Sequence, residues 1–393
     1  MRIAIKGTHI TSGGGLTHLN KIIEWFARLA PDTQFVLIGK TGQDKLFISR
    51  PINFDYRYYK TPARNLIAQL WWERRKLPKI LRKLSCDLLF EPGNYGTLSS
   101  SCPKVTLVHN LAPFDPGIIK QAGLYQKIRL TLLRSATIKS IKSSDGIIFL
   151  SKFAENMIST YIDLSDKHTT IIYHGIPEET QNLDDQRIIR QLKIPSEFIL
   201  CVSHVYRYKN LLQLIEGYVE ASKAGAGLPS LIVAGAKYDV KYMKRIEKAI
   251  LHGGVDNRIK FLGSIDEISL GALYRNCKYF VFPSSLENCP NILLEALGHG
   301  CATLCSNTGV MPEICGDAAL YFNPFDAMDI ARKLKLVNSD YALRENLSER
   351  ARNRAKCFGW QNTARGTLQF FDRVLGREQI EMNAGKQREL VKI

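Results

Sequence analysis

The chain has no C-x-x-C pair, and no apolar run approaches the ~18–20 residues that a membrane-spanning helix requires. Its nine cysteines are scattered and odd in number, which argues against a zinc or redox dithiol motif and predicts reduced, mostly buried thiols. The start, MRIAIKGTHI, carries no signal-peptide apolar region, so a cytosolic chain is expected. With 28 Gly and 15 Pro the sequence is neither collagenous nor of low complexity. What remains is ordinary globular composition, 45% apolar and 23% charged, and 393 residues suit about two or three domains.

Acid is scarce in one part only. Residues 1–150 hold 23 basic and 9 acidic side chains, whereas 151–393 hold 31 and 28, so the formal net charge of +17 belongs almost entirely to the first part. From Arg64 to Lys83, seven Lys/Arg face Glu73 alone, and from Gly117 to Ser144 there are six and no acid. Such stretches suit nucleic acid, an anionic membrane or a phosphate-rich ligand.

Short β-branched runs recur with helix-length segments between them, the pattern of βαβ units and parallel sheets. A first series lies at 2–7, 34–39, 87–93, 104–110, 146–151 and 169–175, and a second at 198–204, 230–236, 258–264, 279–285, 302–307 and 319–324. The polar, acidic stretch between the two series predicts a linker. The expected organisation is an α/β chain of two Rossmann-like, doubly wound lobes: 1–177, a linker at 178–188, and 189–358. A C-terminal helix within 359–393 is expected to pack back on the first lobe and end in a polar tail. Ligands of such sheets bind outside the carboxyl ends of the strands, which places the site in the cleft between lobes.

Two loops there suit an anion. Gly13-Gly14-Gly15 follows the first strand and opens a helix, so its backbone N–H groups can approach a ligand closely. In the second half, Pro290 fits the first helical position, leaving free N–H groups around Asn291 and Ile292. Glu287 and Glu295 flank that helix start, and Glu295 shares a helix face with Asn291.

Glu287-x7-Glu295 with Pro290 between, then Gly298, Gly300 and Ser306-Asn-Thr-Gly309 with Pro312-Glu313, resembles glycosyltransferase family 4, retaining sugar-nucleotide transferases with the GT-B fold. The resemblance runs through the chain, most strongly from Phe198 to Pro324, and within the family the chain resembles bacterial O-antigen and exopolysaccharide glycosyltransferases. It implies that Lys209, followed by Asn210, meets the donor diphosphate. Arg207 would stand in for the family arginine, since the usual positions hold Val205 and His204. It also implies that Glu287 contacts hydroxyls of the transferred sugar, Glu295 the ribose, and His109, in Val108-His-Asn-Leu111, the donor sugar. Glu91 and Asn94 end the preceding strand in the same cleft and are expected on the acceptor side. Ser151-Lys-Phe153 and His174-Gly-Ile176 match two further family landmarks.

No D-x-D triplet occurs, which argues against the metal-dependent transferase fold, so neither metal nor cofactor is expected. The resulting expectation is transfer of a hexosyl unit, with retention, from a nucleoside diphosphate sugar to a glycan or lipid-linked hydroxyl in surface polysaccharide synthesis. Leu66, Ile67, Leu70 and Trp71 interleave with Arg64, Arg74, Arg75 and Lys79, which suits a helix resting on anionic lipid at the inner face of the cell membrane. A GT-B epimerase or phosphorylase is the alternative, because fold alone does not fix chemistry. A nucleic-acid binder ranks last, since no binding motif accompanies the charge and no nucleic-acid partner is expected.

Overall fold

A computed structural model of the protein describes residues 1–11, 13–62, 66–94, 96–177 and 184–377, excluding the side chains of 66–70 and 121. Most of the expected linker and the polar tail lie outside these residues, as does Arg64. The last part of the expected linker is already helical, Asp185–Gln191, with Asp184 accepting from the Arg187 N–H as its cap.

The described residues hold thirteen strands: β1 (Arg2–Lys6), β2 (Gln34–Lys40), β3 (Phe54–Tyr59), β4 (Leu88–Glu91), β5 (Lys104–Val108), β6 (Gly146–Phe149), β7 (His168–Ile171), β8 (Phe198–Val202), β9 (Ser230–Ala234), β10 (Ile259–Gly263), β11 (Tyr279–Phe282), β12 (Thr303–Ser306) and β13 (Ala319–Phe322). They form two parallel sheets, ordered β3-β2-β1-β4-β5-β6-β7 and β10-β9-β8-β11-β12-β13. Twelve coincide with expected runs. The thirteenth, β3, is FDYRYY at a sheet edge, where half-exposed polar and aromatic residues replace the β-branched run of a central strand.

The central strands β4, β5, β6, β8 and β11 are buried along their whole length, as expected of strands covered by helices on both faces. Strand order reverses beside β1 in one sheet and beside β8 in the other. Those reversals leave crevices at the strand ends, which are the ligand positions of doubly wound sheets. The helix Trp360–Val374 returns to the first lobe, where Phe371 packs 5.9 Å from Phe26 and 5.1 Å from Phe90. Its start crosses the chain at Gly175, where a Cβ would stand 2.3 Å from the Trp360 backbone nitrogen, so only glycine fits.

One buried group of charges sits inside the first lobe. Lys6 Nζ lies 2.8 Å from Glu73 Oε1 and 3.2 Å from Glu91 Oε1, and Lys104 Nζ is 3.7 Å from Glu91 Oε2. The Thr97 N–H also donates to Glu91 at 2.9 Å. Burial alone would push the Glu91 carboxyl up, but Lys6 and Lys104 outweigh it and hold it below its ordinary value.

Candidate active site in the cleft

After β8 the chain makes one 3-10 turn, Arg207–Lys209, ended by Asn210 in the left-handed region at φ 50°. Asn210 Nδ2 donates to the Pro283 carbonyl at 2.9 Å, pinning the turn to the end of β11. The Ser285 N–H and hydroxyl both donate to the Tyr208 carbonyl, at 2.9 and 3.0 Å. The two strand ends are thereby sewn together, and Lys209 meets Glu287 in a largely buried ion pair. The ammonium also lies 5.6 Å from the Phe282 ring centroid. Arg207 is not part of this pair. It is more exposed, and its Nε is 3.5 Å from Asp239 Oδ2, the carboxylate that caps the helix Val240–Gly253.

The helix Asn291–Gly298 begins one residue later than expected, because Pro290, at φ −75° and ψ 108°, is the residue before it and not its first. Its first bonds run from the Leu293 and Leu294 N–H groups to the Pro290 carbonyl, leaving those of Asn291 and Ile292 at the open end. Opposite lies the start of the helix Gly13–Leu29. A Cβ on Gly14 would stand 3.6 Å from Asn291 Nδ2, so two helix N-termini meet across the cleft with Gly14 and Gly15 between. Both contribute positive potential to the same space. One turn further, Glu295 accepts from the Tyr274 hydroxyl at 3.3 Å, and burial pushes its carboxyl up to about 7.

On the first-lobe side, Asn94 Oδ1 accepts from the N–H groups of both His109 and Asn110, at 2.8 and 2.6 Å. Asn94 thus shapes the end of β5 and lines, with His9, Gly15, His109 and Asn110, a pocket of about 540 Å³. Glu91 is not beside it. The expectation of an acceptor contact there is corrected by the buried ion pairs described above, which turn this carboxylate into the lobe with no exposed surface. Burial first, then the neighbouring His174 and His9, holds the His109 imidazole well below its ordinary value, so it is neutral.

Three groups join the lobes, and of these only Asn288 carries no reading in sequence. Asn288, next to Glu287, donates to the carbonyls of Val108 and His109 at 2.8 and 2.9 Å. Glu313 accepts from the Lys152 and Phe153 N–H groups, at 2.6 and 2.9 Å, and from the Tyr173 hydroxyl at 2.9 Å. His174 shares a 2.7 Å hydrogen bond between Nδ1 and Asn291 Oδ1. Two of the sequence landmarks, at Ser151 and His174, are therefore the places where the second lobe is gripped.

Residues 12–180 match the family described as Glycosyltransferase Family 4, and 184–354 match Glycosyl transferases group 1. Serotype-specific mannosyltransferase WbdA of Escherichia coli is 32% identical over 257 residues, 63% of this chain and 31% of that protein. The chain therefore spans about a third of the length of the first such relatives. The N-acetylgalactosamine-N,N'-diacetylbacillosaminyl-diphospho-undecaprenol 4-alpha-N-acetylgalactosaminyltransferase of Campylobacter jejuni subsp. jejuni serotype O:2 is 26% identical over 258 residues, 63% of this chain and 64% of that one. Among solved structures, Anabaena Alr3699/HepE in complex with UDP and glucose superposes with a TM-score of 0.72 at 16% identity, covering 95% of this chain and 100% of that one. WaaG, a glycosyltransferase involved in lipopolysaccharide biosynthesis, gives 0.70 at 16% identity, over 93% and 98%. With two facing parallel-sheet lobes and a family match over both, the chain belongs to the glycosyltransferases, as a family 4-like member with the GT-B fold.

Proposed function

We propose that the protein transfers a hexosyl unit from a nucleoside diphosphate sugar to a hydroxyl of a glycan or lipid-linked glycan during surface polysaccharide synthesis, with retention at the anomeric carbon. The observation that carries this reading is the cleft itself, where the Lys209–Glu287 pair and two helix N-termini surround one space. The diphosphate takes the helix N-termini and Lys209, whose charge stabilises the leaving group as the C1–O bond breaks. Glu287, released from Lys209, accepts hydrogen bonds from the sugar hydroxyls, and Glu295 from the ribose diol. The acceptor oxygen attacks C1 from the face that the phosphate leaves, and a departing phosphate oxygen takes the acceptor's proton. No metal is required in this scheme. Arg207 supplements Lys209 by leaving Asp239 for the phosphate.

The names of the relatives support the sugar class. WbdA and O-antigen chain mannosyltransferase B of Escherichia coli act as mannosyltransferases, which makes mannose the first donor sugar to test. A thermal-shift panel of UDP, GDP, ADP and dTDP sugars, followed by transfer of labelled sugar to a lipid-linked glycan, checks the reading. A donor that raises the melting temperature and yields a product with the donor's own anomeric configuration supports it. Epimerised or phosphorolysed product without transfer favours the alternative enzyme class.

We also place the acceptor-side membrane contact on the first lobe. Trp71 is more than half exposed and lines a shallow hollow with Arg75, Lys76 and Lys79, while the other apolar side chains of that expected face, 66–70, lie outside the description. A second exposed apolar stripe lies on the same lobe: Leu124, Tyr125, Ile128 and Leu132 on the helix Leu124–Lys142, with Lys120 and Lys127 near it in sequence. No helix of the described residues is long and apolar enough to cross a membrane.

A further inference from the structure

The proposed transfer leaves His18 and His174 without a task, and both stand against His109, the histidine expected at the donor sugar. His18 lies in the first helix, His109 at the end of β5 and His174 just beyond β7, and their rings meet with centroids 5.0 to 5.4 Å apart. One nitrogen from each lies within 4.8 Å of the others. Among the described residues, both ring nitrogens of His18 and the Nε2 atoms of His109 and His174 have no hydrogen-bond partner, although His18 is fully buried and His174 nearly so. A single buried imidazole usually directs its nitrogens to a carbonyl or a hydroxyl, because an unmet polar atom in the interior is costly. Three that direct theirs at one another instead need something between them.

We propose that His18, His109 and His174 bind a divalent transition metal of the kind that prefers imidazole, such as Zn²⁺, and that occupancy inhibits donor binding. Zn–N bonds of about 2.0–2.1 Å place tetrahedral ligand atoms roughly 3.4 Å apart, which small ring rotations reach from the present spacing. His174 already has an orienting partner: Asn291 accepts from its Nδ1–H and so leaves the Nε2 lone pair for the metal. The fourth position opens beside His109 into the pocket shared with Asn94 and Asn110, where water can complete the shell. Trp360 closes the other side, stacked on His174 at 5.7 Å and edge-on to His18 at 5.6 Å. The inhibitory arm rests on the proposed function, because His109 and Asn291 belong to the donor side of the cleft and a metal holds both in place. The binding arm does not.

Titration of the full chain with Co²⁺ reads the site directly. One equivalent per chain is expected, with the visible ligand-field bands of a tetrahedral nitrogen and oxygen shell and no thiolate charge-transfer band. His18→Gln and His109→Gln should each weaken binding by at least about tenfold. Crystals soaked in Zn²⁺ should give an anomalous peak between the three rings, a measurement that does not depend on any variant folding. Absence of binding, thiolate bands, or a peak elsewhere overturns the proposal. In transfer assays, Zn²⁺ should raise the donor KM of the wild type and not that of His18→Gln, and a chelator should reverse it. Equal inhibition of both proteins overturns the regulatory role. Binding with no detectable transfer refutes the proposed function and leaves the metal site standing.

Discussion

Lys209 and Glu287 neutralise each other in the cleft, so the donor must exchange one ion pair for another. That exchange makes the two side chains sensitive to charge more than to shape. Lys209→Ala should reduce kcat by about a hundredfold or more, in the range found for a lost transition-state charge contact, while circular dichroism shows the fold intact. Unchanged turnover would remove Lys209 from the leaving group. Glu295 offers a pH test. Burial holds its carboxyl at about 7, above its ordinary value, so the folded protein binds this proton more tightly than the unfolded chain. The stabilisation this provides is complete below the ordinary carboxylate range and is lost as pH rises through about 7. Donor affinity should move the opposite way, because the ribose diol needs the ionised form. Calorimetric titrations from pH 6 to 8 should show tightening with pH that Glu295→Gln abolishes.

Among the connecting elements, the loop after β11 has the widest reach, since Glu287 faces the donor and Asn288 the first lobe. Asn288→Ala leaves the Val108 and His109 carbonyls without their donor, at a cost of roughly 1–3 kcal/mol, and should lower the urea midpoint without changing the slope. Glu287 was legible in sequence through its spacing to Glu295 and Pro290. Asn288 was not, because its partners lie 179 and 180 positions away and no local pattern encodes them. The central strands were legible for the opposite reason: burial on both faces demands continuous apolar runs. The edge strand β3 escaped because an exposed edge relaxes that demand. The helix Leu124–Lys142 belongs here too. Its charge was legible and its exposed stripe was not, since Leu124, Tyr125, Ile128 and Leu132 read equally well as a buried face. Lys120→Glu with Lys127→Glu, two exposed lysines outside the cleft pocket, should abolish flotation with anionic vesicles at low salt and leave donor binding untouched.

Across the whole molecule, the charge asymmetry is partly internal. Lys6 and Lys104 belong to the basic first lobe but are spent inside it, against Glu73 and Glu91, and offer nothing to a surface. Sequence placed Glu91 at a strand end in the cleft; the direction of its side chain depends on Lys6, 85 residues earlier, which no motif announces. Lys6→Met should destabilise the fold by about 3–5 kcal/mol, as expected when a buried carboxylate loses its main partner, and differential scanning calorimetry would register it. A smaller loss would mean that Lys104 takes over.

The returning helix Trp360–Val374 also constrains how the protein is made. Phe370 and Phe371 are buried in the core that contains Phe26, Phe35 and Phe90, so the first lobe to leave the ribosome cannot finish folding until almost the last described residues are translated. The second lobe has, on one face of its sheet, a core of its own from Ile199 to Leu347 that needs nothing beyond that residue, so it matures earlier, as an insertion between the two ends of its neighbour. A released chain truncated after residue 355 should therefore hold a protease-resistant second lobe joined to a still digestible first, an inversion of the usual vectorial order.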